Sequence, residues 1–111
     1  MPFFRRLIMS LENLTSINFE EKVKNGITVV DFYADWCSPC KQITSVLEDL
    51  SKENVDINFY KVNVDECSDI AVKFGVRSIP YLLFFNSGEK TSSLVGLKDA
   101  QTILNEVNKS R

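Results

Sequence analysis

Apolar side chains along this chain change their period several times, and each change marks an element. Residues 27–33, Ile-Thr-Val-Val-Asp-Phe-Tyr, form a nearly continuous β-branched and aromatic run, the pattern of a strand covered on both faces. A single charge, Asp31, interrupts it. From Cys37 the period lengthens to that of a helix, so that Cys40, Ile43, Val46, Leu47 and Leu50 fall on one side of a segment ending near Glu53. Residues 57–64 predict a second strand, again with one charge, Lys61. A short helix over 68–74 gathers Cys67, Ile70, Ala71 and Phe74 on one face and stops at Gly75. Beyond Pro80, residues 81–85, the group Asn86-Ser87-Gly88 and residues 89–95 read as strand, tight turn and strand. A closing helix carries Ala100, Ile103, Leu104 and Val107 on its apolar side, with Asp99 near its start and Lys109 and Arg111 near its end, as the helix dipole favours. Upstream, Asn18 followed by Glu21 predicts a capping pair that opens a short helix through about Lys24, with Gly26 as its stop.

A β-α-β unit followed by a hairpin and a helix predicts an α/β fold, a mixed central sheet with helices on both faces. The 111 residues suit one core, and 44% apolar with 25% charged residues is the balance of an ordinary globular domain. A net charge of −2 gives no basic surface, so neither nucleic acid nor an acidic membrane is expected as a partner. The absence of histidine removes Ser/His/Asp and Cys/His catalysis and every His-containing zinc set. Three cysteines are too few for a disulfide-stapled secreted scaffold, and residues 1–9 lack the apolar length of a signal peptide. No run approaches the ~18 apolar residues of a membrane span. The expected location is therefore the cytoplasm, with residues 1–9 as a short extension, Met9 as an alternative start, and residues 10–111 as the domain.

Chemistry concentrates in Trp36-Cys37-Ser38-Pro39-Cys40, a C-x-x-C between an apolar strand and the first turn of a helix. Unpaired backbone N–H groups and the dipole at a helix N-terminus stabilise a thiolate, and Cys37 is the outermost residue there. Cys40 shares the inward face with Ile43 and Leu47, so it is the shielded partner. Sulfurs three residues apart on one turn close a disulfide with little loop entropy to overcome. The competing reading, two packed cysteines or half of a zinc site, lacks a second C-x-x-C to complete it. No metal site is expected.

This segment resembles the thioredoxin family. The run from Val30 to Lys41, then Lys61-Val62-Asn63-Val64-Asp65, Gly75-Val76-Arg77-Ser78-Ile79-Pro80, Phe85-Asn86-Ser87-Gly88 and Gly96 match the family's landmarks in order, over roughly residues 10–109. The resemblance implies a thioredoxin fold, with about five strands and four helices, and a dithiol-disulfide oxidoreductase that reduces protein disulfides. It implies Cys37 as attacking cysteine, Cys40 as the residue resolving the mixed disulfide, and Asp31 as the buried acid behind them. Lys61 lies near that acid, Trp36 covers the site, Pro80 is the cis-proline facing the disulfide, and the backbone of Ile79 pairs with substrate. Implied partners are disulfide-containing proteins and a thioredoxin reductase, through which NADPH is used indirectly without any bound cofactor, and the chain is expected as a monomer. Three departures bear on the site. Ser38 stands where the family usually has Gly, which leaves the redox potential open, Tyr81 stands where Thr is common after the proline, and Thr44 lies where many members have a proline that kinks the active-site helix, so a straighter helix is expected. A dedicated oxidant or isomerase typically carries His where this chain has Pro39; a non-catalytic binding module would not need Cys37, Cys40, Asp31 and Pro80 together. Cys67, on an apolar helix face, reads as a small buried hydrophobe rather than a regulatory thiol.

Overall fold

The computed structural model describes residues 11–111. The expectations for residues 1–9 and for Met9 lie outside the described residues. In chain order the elements are β1 (Glu12–Asn13), α1 (Phe19–Val23), β2 (Ile27–Tyr33), α2 (Ser38–Glu53), β3 (Ile57–Asn63), α3 (Ser68–Lys73), β4 (Tyr81–Asn86), β5 (Glu89–Val95) and α4 (Ala100–Ser110). They form one five-stranded mixed sheet in the order β1-β3-β2-β4-β5. β2 lies at its centre, parallel to β3 and antiparallel to β4, and β4 pairs antiparallel with β5. This is the expected fold class.

Because successive strand residues point to opposite faces, the apolar run of β2 feeds two cores. Ile27 and Val29, with Phe59 of β3 and Leu82 and Phe84 of β4, face Ile43 and Leu47 of α2 and Ile103 and Val107 of α4. Val30 and Phe32, with Val62, Leu83 and Phe85, face Phe19 and Val23 of α1 and Ile70 of α3. Each large side chain so buried stabilises the fold by roughly 1.5–3 kcal/mol. Asp31 falls in the same alternation as Ile27 and Val29, so it points toward α2 from inside the first core, with no exposed surface.

One local expectation is corrected. Asn18 precedes α1 but its side chain makes no cap bond to that helix. Its Oδ1 turns back instead and accepts from Thr15 N at 2.8 Å, because the Thr15–Asn18 turn offers a nearer donor than the helix itself. Asp99, by contrast, caps α4 by accepting from Thr102 N at 2.9 Å. The hairpin closes through Ser87 and Gly88 at φ 53° and 89°, the doubly positive pair of a two-residue turn.

Candidate functional site

Strand β2 delivers the chain to the carboxyl end of the sheet at Tyr33, and after four intervening residues α2 begins at Ser38. Cys37 is the N-cap of that helix, in extended conformation, and its sulfur accepts from Cys40 N at 3.2 Å. Ser38 and Pro39 occupy the first helical positions, where the missing proline N–H leaves no bond unmade. Cys37 and Cys40 are joined as a disulfide, with Cα atoms 5.3 Å apart. No acidic side chain lies in the first turn of α2, so the end of this 16-residue helix retains its favourable field for an anionic sulfur.

Ala34, Cys37 and Cys40 form a small buried cluster against Tyr33, Val64 and Ile79. Cys37 keeps 5% of its surface and Cys40 1%, the order expected from their places on the turn. Ile79 precedes Pro80 through a cis peptide bond, and the Pro80 carbonyl accepts from Gly96 N at 2.8 Å. Trp36 is 72% exposed beside the disulfide, and its Nε1 donates to Asp65 Oδ2 at 3.0 Å. Ser38 is exposed on the first turn, and the Cys37 sulfur takes its hydrogen bond from the Cys40 backbone rather than from this hydroxyl.

Behind the cysteines, Thr44 Oγ1 donates to Asp31 Oδ2 at 2.7 Å. The second carboxyl oxygen, Oδ1, is buried and has no hydrogen-bond partner among the described residues. Burial raises the Asp31 pKa from an ordinary 3.8 to about 6; the Thr44 hydrogen bond and the charge of Lys61 pull in the opposite direction without offsetting it. Lys61 stands opposite Asp31 in the β2–β3 register, yet its ammonium sits over the Tyr33 ring, 5.2 Å from the centroid. A cleft of about 320 Å³ opens beside this group, lined by Cys40, Lys41, Thr44, Glu48 and Lys61 among others. No group of three or more side chains suited to a metal ion occurs among the described residues, and no helix among them is long and apolar enough to cross a membrane.

The sequence model of the Thioredoxin family matches residues 10–109. The chain belongs to the thioredoxin family. It is 40% identical over 96 residues to a thioredoxin of Chlamydia pneumoniae, covering 86% of this chain and 94% of that one. Two solved thioredoxins superpose with a TM-score of 0.82 each. One, a variant from Halobacterium salinarum, is 31% identical and is matched over 91% of this chain and 90% of its own. The other, mitochondrial thioredoxin 3 of Saccharomyces cerevisiae in its oxidised form, is 30% identical over 88% and 93% of the two chains. With its paired Cys37 and Cys40, this thioredoxin-family protein is a thiol-disulfide oxidoreductase.

The thioredoxin fold brings the residues read from the sequence to one end of the sheet: Trp36, Cys37, Ser38, Pro39 and Cys40 at the mouth of α2, Ile79 packed against the cysteines with cis-Pro80 after it, and Asp31 and Lys61 behind. Cys67 stands apart on the α1/α3 side as the buried N-cap of α3, its thiol 3.7 Å from the Leu14 carbonyl. Thr44, read from the sequence only as a departure in the active-site helix, joins the site through its bond to Asp31, and a signal for that exists. Thr44 is a polar residue within the apolar row Cys40, Ile43, Leu47, just as Asp31 is a polar residue within an apolar strand, and the two misfits meet.

Proposed function

We propose that this protein is a reductant of protein disulfides, recharged by a thioredoxin reductase at the expense of NADPH, and that residues 10–111 act in the cytoplasm as a monomeric domain. The observation that carries the reading is the Cys37–Cys40 disulfide at the N-terminus of α2 with a buried carboxyl behind it. In the reduced protein Cys37 is the nucleophile, because the helix end stabilises its thiolate. Its sulfur attacks a substrate disulfide, one substrate sulfur leaves as thiolate, and a mixed disulfide remains on Cys37. Cys40 then gives its proton to Asp31, directly or through one water, and its thiolate attacks the Cys37 sulfur. The Cys37–substrate bond breaks, the electron pair departs with the second substrate sulfur, and the enzyme disulfide forms. Two electrons have passed to the substrate.

An acid with a pKa of about 6 suits this exchange, being ionised at neutral pH yet basic enough to accept a thiol proton. Lys61 limits how far burial raises that pKa. Exposed Trp36 and half-buried Ile79 offer substrate an apolar rim, with the Ile79 backbone pairing to an extended segment beside Pro80. Pro39 before the second cysteine supplies no cation to stabilise the reduced state, which favours reduction over oxidation as the working direction. The test is insulin reduction with NADPH and a bacterial thioredoxin reductase. Catalytic NADPH consumption that requires this protein is expected; a protein that oxidises reduced RNase but leaves insulin intact contradicts the assigned direction.

A further inference from the structure

Among the described residues Asp31 has one hydrogen-bond partner on one of its two oxygens: a neutral hydroxyl from the helix that carries the cysteines. Thr44 lies four residues after Cys40 on α2, and residues so spaced are neighbours on a helix surface, with Cβ atoms about 5–6 Å apart. The Asp31 carboxylate is thus held by the side chain adjacent to the resolving cysteine on the same turn. Its surroundings offer little else. β3 contributes Lys61, whose ammonium is drawn over Tyr33. β4 sets Leu82 opposite Asp31, and α4 presents Ile103 and Val107 to this face, all uncharged. α2 contributes Cys40 itself, with Lys41 and Glu48 at the cleft wall.

We propose that Thr44 is a positioning residue for the resolving step: its hydroxyl, bonded to Oδ2, holds Asp31 as a carboxylate and leaves the unpartnered Oδ1 to receive the Cys40 proton. The inference rests on the reading of Asp31 as proton acceptor. A donor aimed at a carboxylate favours the charged form, so losing the hydroxyl moves the acid further toward its protonated state. A protonated Asp31 cannot take a proton. The consequence falls on resolution alone, since the attack by Cys37 precedes it, and it is relieved at higher pH, where the acid ionises without help.

The experiment compares wild type with Thr44→Val, which keeps the shape and loses the donor, Thr44→Ser, which keeps the donor, and Asp31→Asn. Carbon-13 NMR of the oxidised full chain follows the Asp31 carboxyl carbon from pH 4 to 9. Stopped-flow mixing of each reduced protein with Ellman's reagent follows resolution: Cys37 first forms an aryl mixed disulfide, then Cys40 displaces the second aryl thiolate, a phase that Cys40→Ser lacks. In Thr44→Val the Asp31 midpoint is expected to rise by about one pH unit, and the second phase to slow about fivefold at pH 6 and recover by pH 8.5. Thr44→Ser is expected to retain the wild-type midpoint and profile. Thr44→Ala, smaller at the same site, repeats the Val result if donor loss is the cause. An unchanged Asp31 midpoint in Thr44→Val, or an equal loss in Thr44→Ser, overturns the role of Thr44 while leaving Asp31 in place. A wild-type pH profile in Asp31→Asn overturns the acceptor itself and the inference with it.

Discussion

A carboxylate with no exposed surface is costly, and Asp31 shows where that cost appears. Its folded pKa of about 6 lies above the ordinary 3.8, so the folded state holds the proton more tightly than the unfolded chain does. Stability contributed by this group is full below the lower value, is lost as pH rises through the window between the two, and stays lost above about 6. The loss amounts to about 3 kcal/mol. Asn cannot ionise, so Asp31→Asn is expected to gain stability relative to wild type as pH rises from 4 to 7.5, by up to that amount. Urea unfolding of both oxidised proteins at the two pH values measures it, and a difference independent of pH contradicts the account. Asp31 was legible in the sequence because a lone charge in a doubly covered strand has few innocent explanations. The bond from Thr44 was not, because Thr44 reads from the sequence only as a substitute for a helix-kinking proline, and nothing in the helix alone says which strand residue lies beneath it.

At the scale of elements, legibility follows how local the cause is. The hairpin was readable because Ser87 and Gly88 themselves set its turn, and α2 because its period, its proline and its length all agree. α1 shows the opposite. Asn18 has the composition of a cap, but Thr15 competes for its oxygen, and a five-residue helix has little of its own to oppose that. Asp99 meets no such rival and accepts from Thr102 N. Its pKa is lowered, first by the Thr102 side chain and then by this bond from the Thr102 backbone, as expected of an acid at a helix N-terminus. Asp99→Ala is expected to destabilise the protein through loss of this cap. Asn18→Ala loses the turn bond from Thr15 N but no bond to α1, so α1 itself is expected to persist unchanged; amide hydrogen exchange in α1 and α4 of the two variants checks the contrast.

For the whole molecule, the class of sheet was readable but its order was not. Alternation along β2 announced two covered faces, yet nothing in the chain says that β4 pairs antiparallel with β2 rather than standing at an edge, or that the strand expected near the N-terminus is only Glu12 and Asn13 and lies beyond β3. Those choices are settled by tertiary packing, and they assemble the site. Central β2 aims Asp31 at α2, β3 sets Lys61 across from it, and the loop before β4 brings Ile79 to the cysteines. The proposed mechanism divides labour between the two sulfurs, with Cys37 attacking and Cys40 resolving. Its most direct test is to incubate reduced Cys37→Ser and Cys40→Ser with insulin and map covalent complexes by mass spectrometry under non-reducing conditions. Cys40→Ser is expected to accumulate a mixed disulfide through Cys37 while Cys37→Ser forms none; complexes accumulating through Cys40 in the Cys37→Ser protein reverse the two roles.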